Sequence, residues 1–196
     1  MGVEKFHKWL CNTYPNSFRK SNYDFYDNVY IDINCILHRI VAGSINENIL
    51  FGRFYSYIDF VLKNNIPTKR LTFAIDGAAP FAKIILQRKR RLKISRNIDQ
   101  QNDVLSIVSP LHFTPGTKFM KSLPEKINKY IKKIEVSYKI KVEVLFGSGE
   151  AEFKLIRKLL DIAKDKNNET HLLVSTDADM VIMASSILNS NNNISD

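Results

Sequence analysis

The 196 residues suffice for one domain with a sizeable core, and 44 % hydrophobic with 25 % charged residues is an ordinary globular composition. Twenty-nine Lys and Arg against 20 Asp and Glu give a net charge of +9 and a pI near 9.5, a balance that favours anionic partners such as nucleic acid. The two cysteines, Cys11 and Cys35, exclude a disulfide framework or a Cys/His zinc site, and no apolar run is long enough to span a membrane. MGVEKFHKWL lacks the apolar core of a signal peptide, and Phe6 stands where a myristoylation site needs Ser or Thr. The expectation is an intracellular protein, cytoplasmic or nuclear and not secreted, with no membrane partner.

Residues 3–11 predict a short amphipathic helix from Val3, Phe6, Trp9 and Leu10. A polar, turn-rich stretch to Asn28 leads into the apolar run Val29-Tyr30-Ile31, and Asn34 to Val41 reads as helix. Phe51, Phe54, Tyr55, Ile58, Val61 and Leu62 trace one face of a further helix that ends before Pro67. Leu71 to Ile75 is the next strand. A strongly basic helix follows Pro80 as far as Ser95, and 97–109 reads as a loop or frayed helix. Thr117 caps a helix through Tyr138 with Phe119, Leu123, Ile127, Ile131 and Ile134 on one stripe. Pro124 should kink or divide it, with Ser122-x-x-Glu125 as a capping box for the restart. Val142 to Phe146 is a third strand, Glu150 to Ala163 a helix and Leu172 to Ser175 a fourth strand, with a last helix from near Met180. The polar tail 189–196 should fray, leaving residues 1–188 as the folded unit. Strands separated by helices predict a three-layer α/β fold, a mostly parallel central sheet flanked by helices.

Three of these strands end in acid, at Asp32, Asp76 and Asp177. The third strand runs into Gly147-Ser148-Gly149-Glu150-Ala151-Glu152, and Asp179 follows Asp177. In a parallel sheet these ends share one edge, where open α/β folds bind ligands. Six carboxylates would repel one another there unless cations balance them. Hard oxygen donors without Cys or His point to Mg²⁺ or Mn²⁺, and two such ions can support phosphodiester hydrolysis. The competing reading makes each Asp a helix N-cap after a strand, a role that suits Glu150 and Glu152 poorly. Beside this edge, Lys83, Gln87, Arg90 and Arg91 fall at i, i+4, i+7 and i+8 of the basic helix. One helix face could thus offer an ammonium, an amide and two guanidinium groups to a phosphate.

These segments resemble the 5′→3′ exoribonuclease (XRN) family over essentially the whole chain. The opening MGVEKFHKWL and Ile31-Asp32-Ile33-Asn34-Cys35-Ile36-Leu37-His38 are similar to its N-terminus and first acidic motif. Asp76-Gly77-Ala78-Ala79-Pro80, with Lys83, Gln87 and Arg88-Lys89-Arg90-Arg91, resembles its second. Thr114-Pro115-Gly116-Thr117 with Phe119-Met120, Gly149-Glu150-Ala151-Glu152 and Asp177-Ala178-Asp179 match three more motifs in order. The resemblance implies a PIN/5′-nuclease-like fold, with residues 1–188 as the N-terminal part of the nuclease domain. It implies that Asp32, Asp76, Glu150, Glu152, Asp177 and Asp179 ligate two Mg²⁺ or Mn²⁺ ions and are catalytic. It further implies that Lys83, Gln87, Arg90 and Arg91 bind a 5′ monophosphate and that His38 contacts the terminal nucleotide. The implied activity is stepwise release of mononucleotides from 5′-monophosphorylated single-stranded RNA.

Phe153 stands where the family usually has His after Glu-Gly-Glu, and Glu-Ala-Glu is also similar to flap endonucleases. Family members continue beyond Asp177-Ala178-Asp179 with a further metal-binding Asp, more strands and a base-stacking aromatic. Two alternatives therefore stand beside the exoribonuclease: a non-catalytic RNA 5′-end-binding module, and a flap-type DNA nuclease.

Overall fold

A computed structural model describes residues 6–18, 24–100, 108–164 and 168–192, with side chains for all of these except His7, 97–100, Ala178 and 188–192. Helix α1 (Phe6–Thr13) precedes strand β1 (Asp24–Asp32), helices α2 (Ile33–Ile40) and α3 (Glu47–Asn64), and strand β2 (Asn65–Ala74). Then come α4 (Phe81–Gln100), a 3₁₀ turn at Pro110–Phe113, α5 (Lys118–Tyr138), β3 (Lys141–Leu145), α6 (Ala151–Ala163), β4 (His171–Val174) and α7 (Ala178–Asn192).

The sheet order is β3-β2-β1-β4, and every pairing is parallel. The chain steps outward from β1 through β2 to β3, then returns to the other side of β1 to lay down β4. The switch in direction lies between β1 and β4, and a crevice opens at the carboxyl ends of strands at such a point.

Strand alternation makes the sheet the middle layer of three. Val29, Ile31, Leu71 and Phe73 point into the larger core with Leu37 of α2, Phe54 and Ile58 of α3, and Leu123 and Ile127 of α5. Tyr30 and Ala74 point the other way, onto Leu155 and Leu159 of α6 and Met180 and Ile187 of α7. With both faces covered, β1 and β2 read as continuous apolar runs over these residues, as buried parallel strands do.

Both central strands start earlier than the sequence predicts. β1 begins at Asp24, inside the stretch read as turns, and β2 begins at Asn65 and contains Pro67. The proline is tolerated because β3 joins β2 only from Arg70, so at Pro67 that flank of β2 has no strand partner among the described residues. The β1–β2 register also slips between Tyr26 and Asn28, beside Pro67. Polar side chains then hold this end of the sheet together. Glu169, just ahead of β4, accepts from Asn28 Nδ2 at 2.8 Å and Arg70 at 2.9 Å.

Pro124 does not divide α5, which runs unbroken from its N-cap Thr117. The stripe Phe119, Leu123, Ile127, Ile131 and Ile134 is buried on both sides of the proline, so packing outweighs the lost backbone bond. Ser122 caps nothing: its Oγ donates to the Phe119 carbonyl at 3.1 Å. Helix α4 passes Ser95 to Gln100, and residues 101–107 of the expected loop lie outside the described residues. Helix α7 starts at Ala178 and continues to Asn192 through part of the segment expected to fray; 193–196 lie outside the description. Neither cysteine takes part in a disulfide, and no helix among the described residues is long and apolar enough to cross a membrane.

Candidate metal and phosphate site

Three of the acidic residues, Asp32, Asp76 and Asp177, emerge where a strand stops, and Glu150, Glu152 and Asp179 stand at the starts of α6 and α7. Asp32, 5 % exposed, closes β1 and caps α2: Oδ1 accepts from Cys35 N at 3.1 Å and Oδ2 from Cys35 Sγ at 3.0 Å. Asp76 follows β2; its Oδ1 accepts from Ala151 N, the first residue of α6, at 2.8 Å, while its own N–H donates to Asn34 Oδ1 at 2.9 Å. Asp177 follows β4 and accepts from Asp179 N at 3.0 Å in the first turn of α7. The three strand-end aspartates therefore do satisfy helix N-termini. Capping and ligand-holding are compatible, because an aspartate retains acceptor capacity after accepting one N–H. Glu150 occupies the N-cap position of α6 without a side-chain cap bond.

The carboxylates do not form one compact ring. Ligand oxygens of Glu152, Asp177 and Asp179 lie within 4.8 Å of one another, and among the described residues this is the one acidic group so gathered. Asp32 and Asp76 interact directly as a second section, and Glu150, acting on both Asp76 and Glu152, links it electrostatically to the first. Lys83 of α4 spans the middle, donating to Glu150 Oε2 at 2.6 Å and lying 3.6 Å from Glu152 Oε1. Burial alone would lower the Lys83 pKa; the two glutamates outweigh it and raise it.

Burial, then the charges of Asp177, Glu150 and Asp179, raise Glu152 to about 7 against the pull of Lys83. Burial, reinforced by Asp76, raises Asp32 to about 6. Folding therefore costs these groups their easy ionisation. At these two carboxyls the folded state binds more protons than the unfolded chain between about pH 4 and 7, so their contribution to stability rises as pH falls through that window, opposed by His38 and His171, whose pKa values burial lowers. In EDTA, Glu152→Gln should gain melting temperature relative to the unmodified chain more at pH 7.5 than at pH 5, and saturating Mg²⁺ should remove that gain.

The donor set suits a hard divalent cation: all oxygen and anionic, with Lys83 beside Glu150 and Glu152 and Lys154 near Asp76 as its cationic neighbours among the described residues. Cis and trans oxygens around Mg²⁺ lie about 3 to 4 Å apart, close to the spacing already present at Glu152, Asp177 and Asp179.

A cleft of about 350 Å³ runs from Asp76 and Gly77 past Gln87 and Arg91 to Thr114, Pro115 and Gly116. The Arg91 guanidinium is held by Gln87, with Nε donating to its carbonyl and Nη2 to Oε1, each at 3.2 Å. Thr117 fixes the facing wall by donating to the His112 carbonyl at 2.6 Å and capping Met120 N. The sequence-assigned phosphate residues thus divide. Gln87 and Arg91 line this cleft, Lys83 sits among the glutamates, and Arg90 is solvent-exposed outside the lining. His38 is exposed beside the cluster, edge-on to Phe113 at 5.2 Å, where the Asp76 charge reaches it.

Two residues given no role from sequence organise the edge. Asn34, 3 % exposed, holds the Asp76 backbone through Oδ1, while its Nδ2 is buried without a partner among the described residues. Lys154 Nζ donates to the carbonyls of Ile75 at 2.7 Å and Gly147 at 2.9 Å, joining the β2 end to the loop before α6. Backbone carbonyls leave no pattern in a sequence, so Lys154 offered none; Asn34 could have been found from its place two residues after a strand-end Asp.

Fold and site together define a parallel α/β protein that assembles acidic side chains, and a cationic cleft, at the carboxyl edge of its sheet. The chain matches the family model for the XRN 5′-3′ exonuclease N-terminus over residues 1–195, and it belongs to that family. It is 29 % identical to 5′-3′ exoribonuclease 1 of Saccharomyces cerevisiae over 93 % of this chain and 14 % of that protein. Against the 5′-3′ exoribonuclease 2 homolog of Caenorhabditis elegans the identity is 28 %, covering 99 % of this chain and 26 % of the relative. Human 5′-3′ exoribonuclease 1 is 25 % identical over 93 % and 12 % respectively. The chain thus spans a quarter or less of the length of most of these relatives, and little more of the nematode one.

Proposed function

We propose that this chain carries the hydrolytic and 5′-end-binding site of an intracellular, metal-dependent 5′→3′ exoribonuclease that releases mononucleotides from 5′-monophosphorylated single-stranded RNA. The observation that carries the reading is the gathering of Glu152, Asp177 and Asp179, tied through Lys83 to the helix α4 whose Gln87 and Arg91 line a cleft with Asp76. Asp32, Asp76, Glu150, Glu152, Asp177 and Asp179 would hold two Mg²⁺ or Mn²⁺ ions. Bound there, the ions supply charge neutralisation at the phosphodiester and an acidified water.

The protein's own groups select and hold the RNA end. Arg91, pre-oriented by Gln87, gives a 5′ phosphate a planar pair of donors without reordering a free side chain. Lys83 balances Glu150 and Glu152 and can shift toward an incoming phosphate as metal takes over those carboxylates. Arg90 adds long-range attraction from the solvent side of α4. His38, edge-on to Phe113 and within reach of the Asp76 charge, would contact the terminal nucleotide.

Arg91→Ala should reduce the preference for 5′-phosphate over 5′-hydroxyl RNA by about ten- to a hundredfold, the worth of a charged hydrogen bond. Arg90→Ala should reduce it less, and fluorescence anisotropy with the two RNAs in EDTA would rank them. Equal affinity of the unmodified chain for both ends removes the phosphate assignment. Digestion of single-stranded RNA alongside a flapped DNA duplex tests the reaction class: preference for the flap sinks the exoribonuclease reading. The gathering of only Glu152, Asp177 and Asp179 among the described residues, with Asp32 and Asp76 outside that group, favours, as a second reading, an end-binding module without catalysis. RNA binding without nucleotide release would support it.

A further inference from the structure

The backbone ladder between β1 and β4 ends at Ile31↔Val174. One residue further on, the two strand ends carry Asp32 and Ser175, and the site needs Asp32 and Asp177 at a set spacing although no ladder bond joins them. A chain of side-chain contacts crosses this gap. Asp177 N donates to Ser175 Oγ at 3.2 Å, Ser175 Oγ meets Cys35 Sγ at 3.3 Å, and Cys35 Sγ donates to Asp32 Oδ2 at 3.0 Å.

Proton counting gives the chain one direction. The single thiol proton is committed to the Asp32 carboxylate, so the sulfur can only accept from Ser175. The serine proton then points at sulfur, which leaves its oxygen to accept the Asp177 N–H. Every donor is polarised toward the same anion, and such chains reinforce themselves. At its far end, Asp177 Oδ1 accepts from Asp179 N and so extends the connection into α7.

We propose that Cys35 and Ser175 are positioning residues that lock Asp32 of β1 to Asp177 beyond β4, presetting the ligand spacing across the β1–β4 crevice. The proposal rests on the reading of these carboxylates as metal ligands. The bridge acts on ion affinity: it orders both halves before the ion arrives and keeps the Asp32 carboxylate from rotating away. Groups that orient ligands in this way commonly change affinity by ten- to a hundredfold when removed.

The test is Mn²⁺ binding to the full chain without RNA, read by the electron paramagnetic resonance of free Mn²⁺, with Mg²⁺ titrations of nucleotide release in parallel. Cys35→Ala and Ser175→Ala should each raise the Mn²⁺ dissociation constant by about tenfold. The double variant should be little worse than either, since one broken link opens the whole chain. Cys35→Ser keeps a donor on a bond about 0.4 Å shorter and should stay within about threefold of the unmodified protein. Circular dichroism identifies a variant that fails to fold, and the other single variant then carries the test. Unchanged Mn²⁺ affinity in folded Cys35→Ala or Ser175→Ala overturns the bridge alone, as does loss in Cys35→Ser equal to that in Cys35→Ala. No Mn²⁺ uptake by the unmodified chain overturns the metal reading, and the bridge with it.

Discussion

Asp177→Ala is expected to lower Mg²⁺-dependent nucleotide release by on the order of 10³-fold while leaving RNA affinity in EDTA close to that of the unmodified chain. Asp177 belongs to the one group of three carboxylates whose oxygens lie within 4.8 Å, and its Oδ1 also holds the first turn of α7 through Asp179 N. On the proposed metal reading, its removal would take away one ligand and loosen a second. If a correctly held ion contributes about 4 kcal/mol to charge stabilisation at the phosphodiester, its loss slows turnover about a thousandfold. Gln87 and Arg91, the groups proposed to hold the RNA, stand on α4, a different element, so binding should persist. Single-turnover kinetics and anisotropy on the same preparation separate the two effects. A variant that loses both in proportion would mean that Asp177 supports the fold and not the chemistry.

Gly77→Ala should damage stability and activity together, although it alters no charged group. Gly77 N donates to the Gly149 carbonyl at 2.8 Å, and Gly149 N returns the bond to the Ala78 carbonyl at 2.9 Å. A β-carbon on Gly77 would lie 1.8 Å from the Gly147 carbonyl oxygen and 2.8 Å from its carbon. Those are backbone atoms, so the loops after β2 and β3 must part by more than about 1 Å to reach ordinary contact. These loops deliver Asp76 on one side and Glu150 and Glu152 on the other. The expected cost is about 2 to 4 kcal/mol, a melting temperature lower by about 5–10 °C, with activity down about a hundredfold from misplacement of the carboxylates. Gly52→Ala in α3 is the control, because a β-carbon there meets nothing within 4 Å and should stabilise slightly. Calorimetry on both variants decides: equal melting temperatures would contradict the close approach at Gly77.

The architecture was legible because β1 and β2 are buried on both faces and end abruptly in acid. A run such as Val29-Tyr30-Ile31-Asp32 announces both the strand and its polar end. The first halves of the two central strands were not legible, since polar residues and Pro67 suppress the β pattern there. They are recruited by register against a neighbour, which no local signal encodes. Pro124 misled for a related reason: a helix-breaking preference is local, while the buried stripe from Phe119 to Ile134 is set by the sheet beneath it.

At the site, the identities of the acidic residues followed from strand ends, but their grouping did not. Whether Glu152 sits nearer Asp177 or Asp76 depends on the turn between β3 and α6 and on Lys83, Lys154 and Asn34. Spacing along α4 put Lys83, Gln87, Arg90 and Arg91 on one face, yet its approach to the carboxylate edge gives them different surroundings. Periodicity fixes a face; only packing decides what each part of that face meets.

Product analysis tests most directly whether a metal-dependent site acts on an RNA 5′ end. The unmodified chain would be incubated with single-stranded RNA carrying a labelled 5′ monophosphate, with Mg²⁺, Mn²⁺ or EDTA. Labelled mononucleotide is expected as the first product with either ion and none in EDTA. Internal cleavage to longer labelled fragments, or intact RNA in every condition despite binding, would contradict that reading.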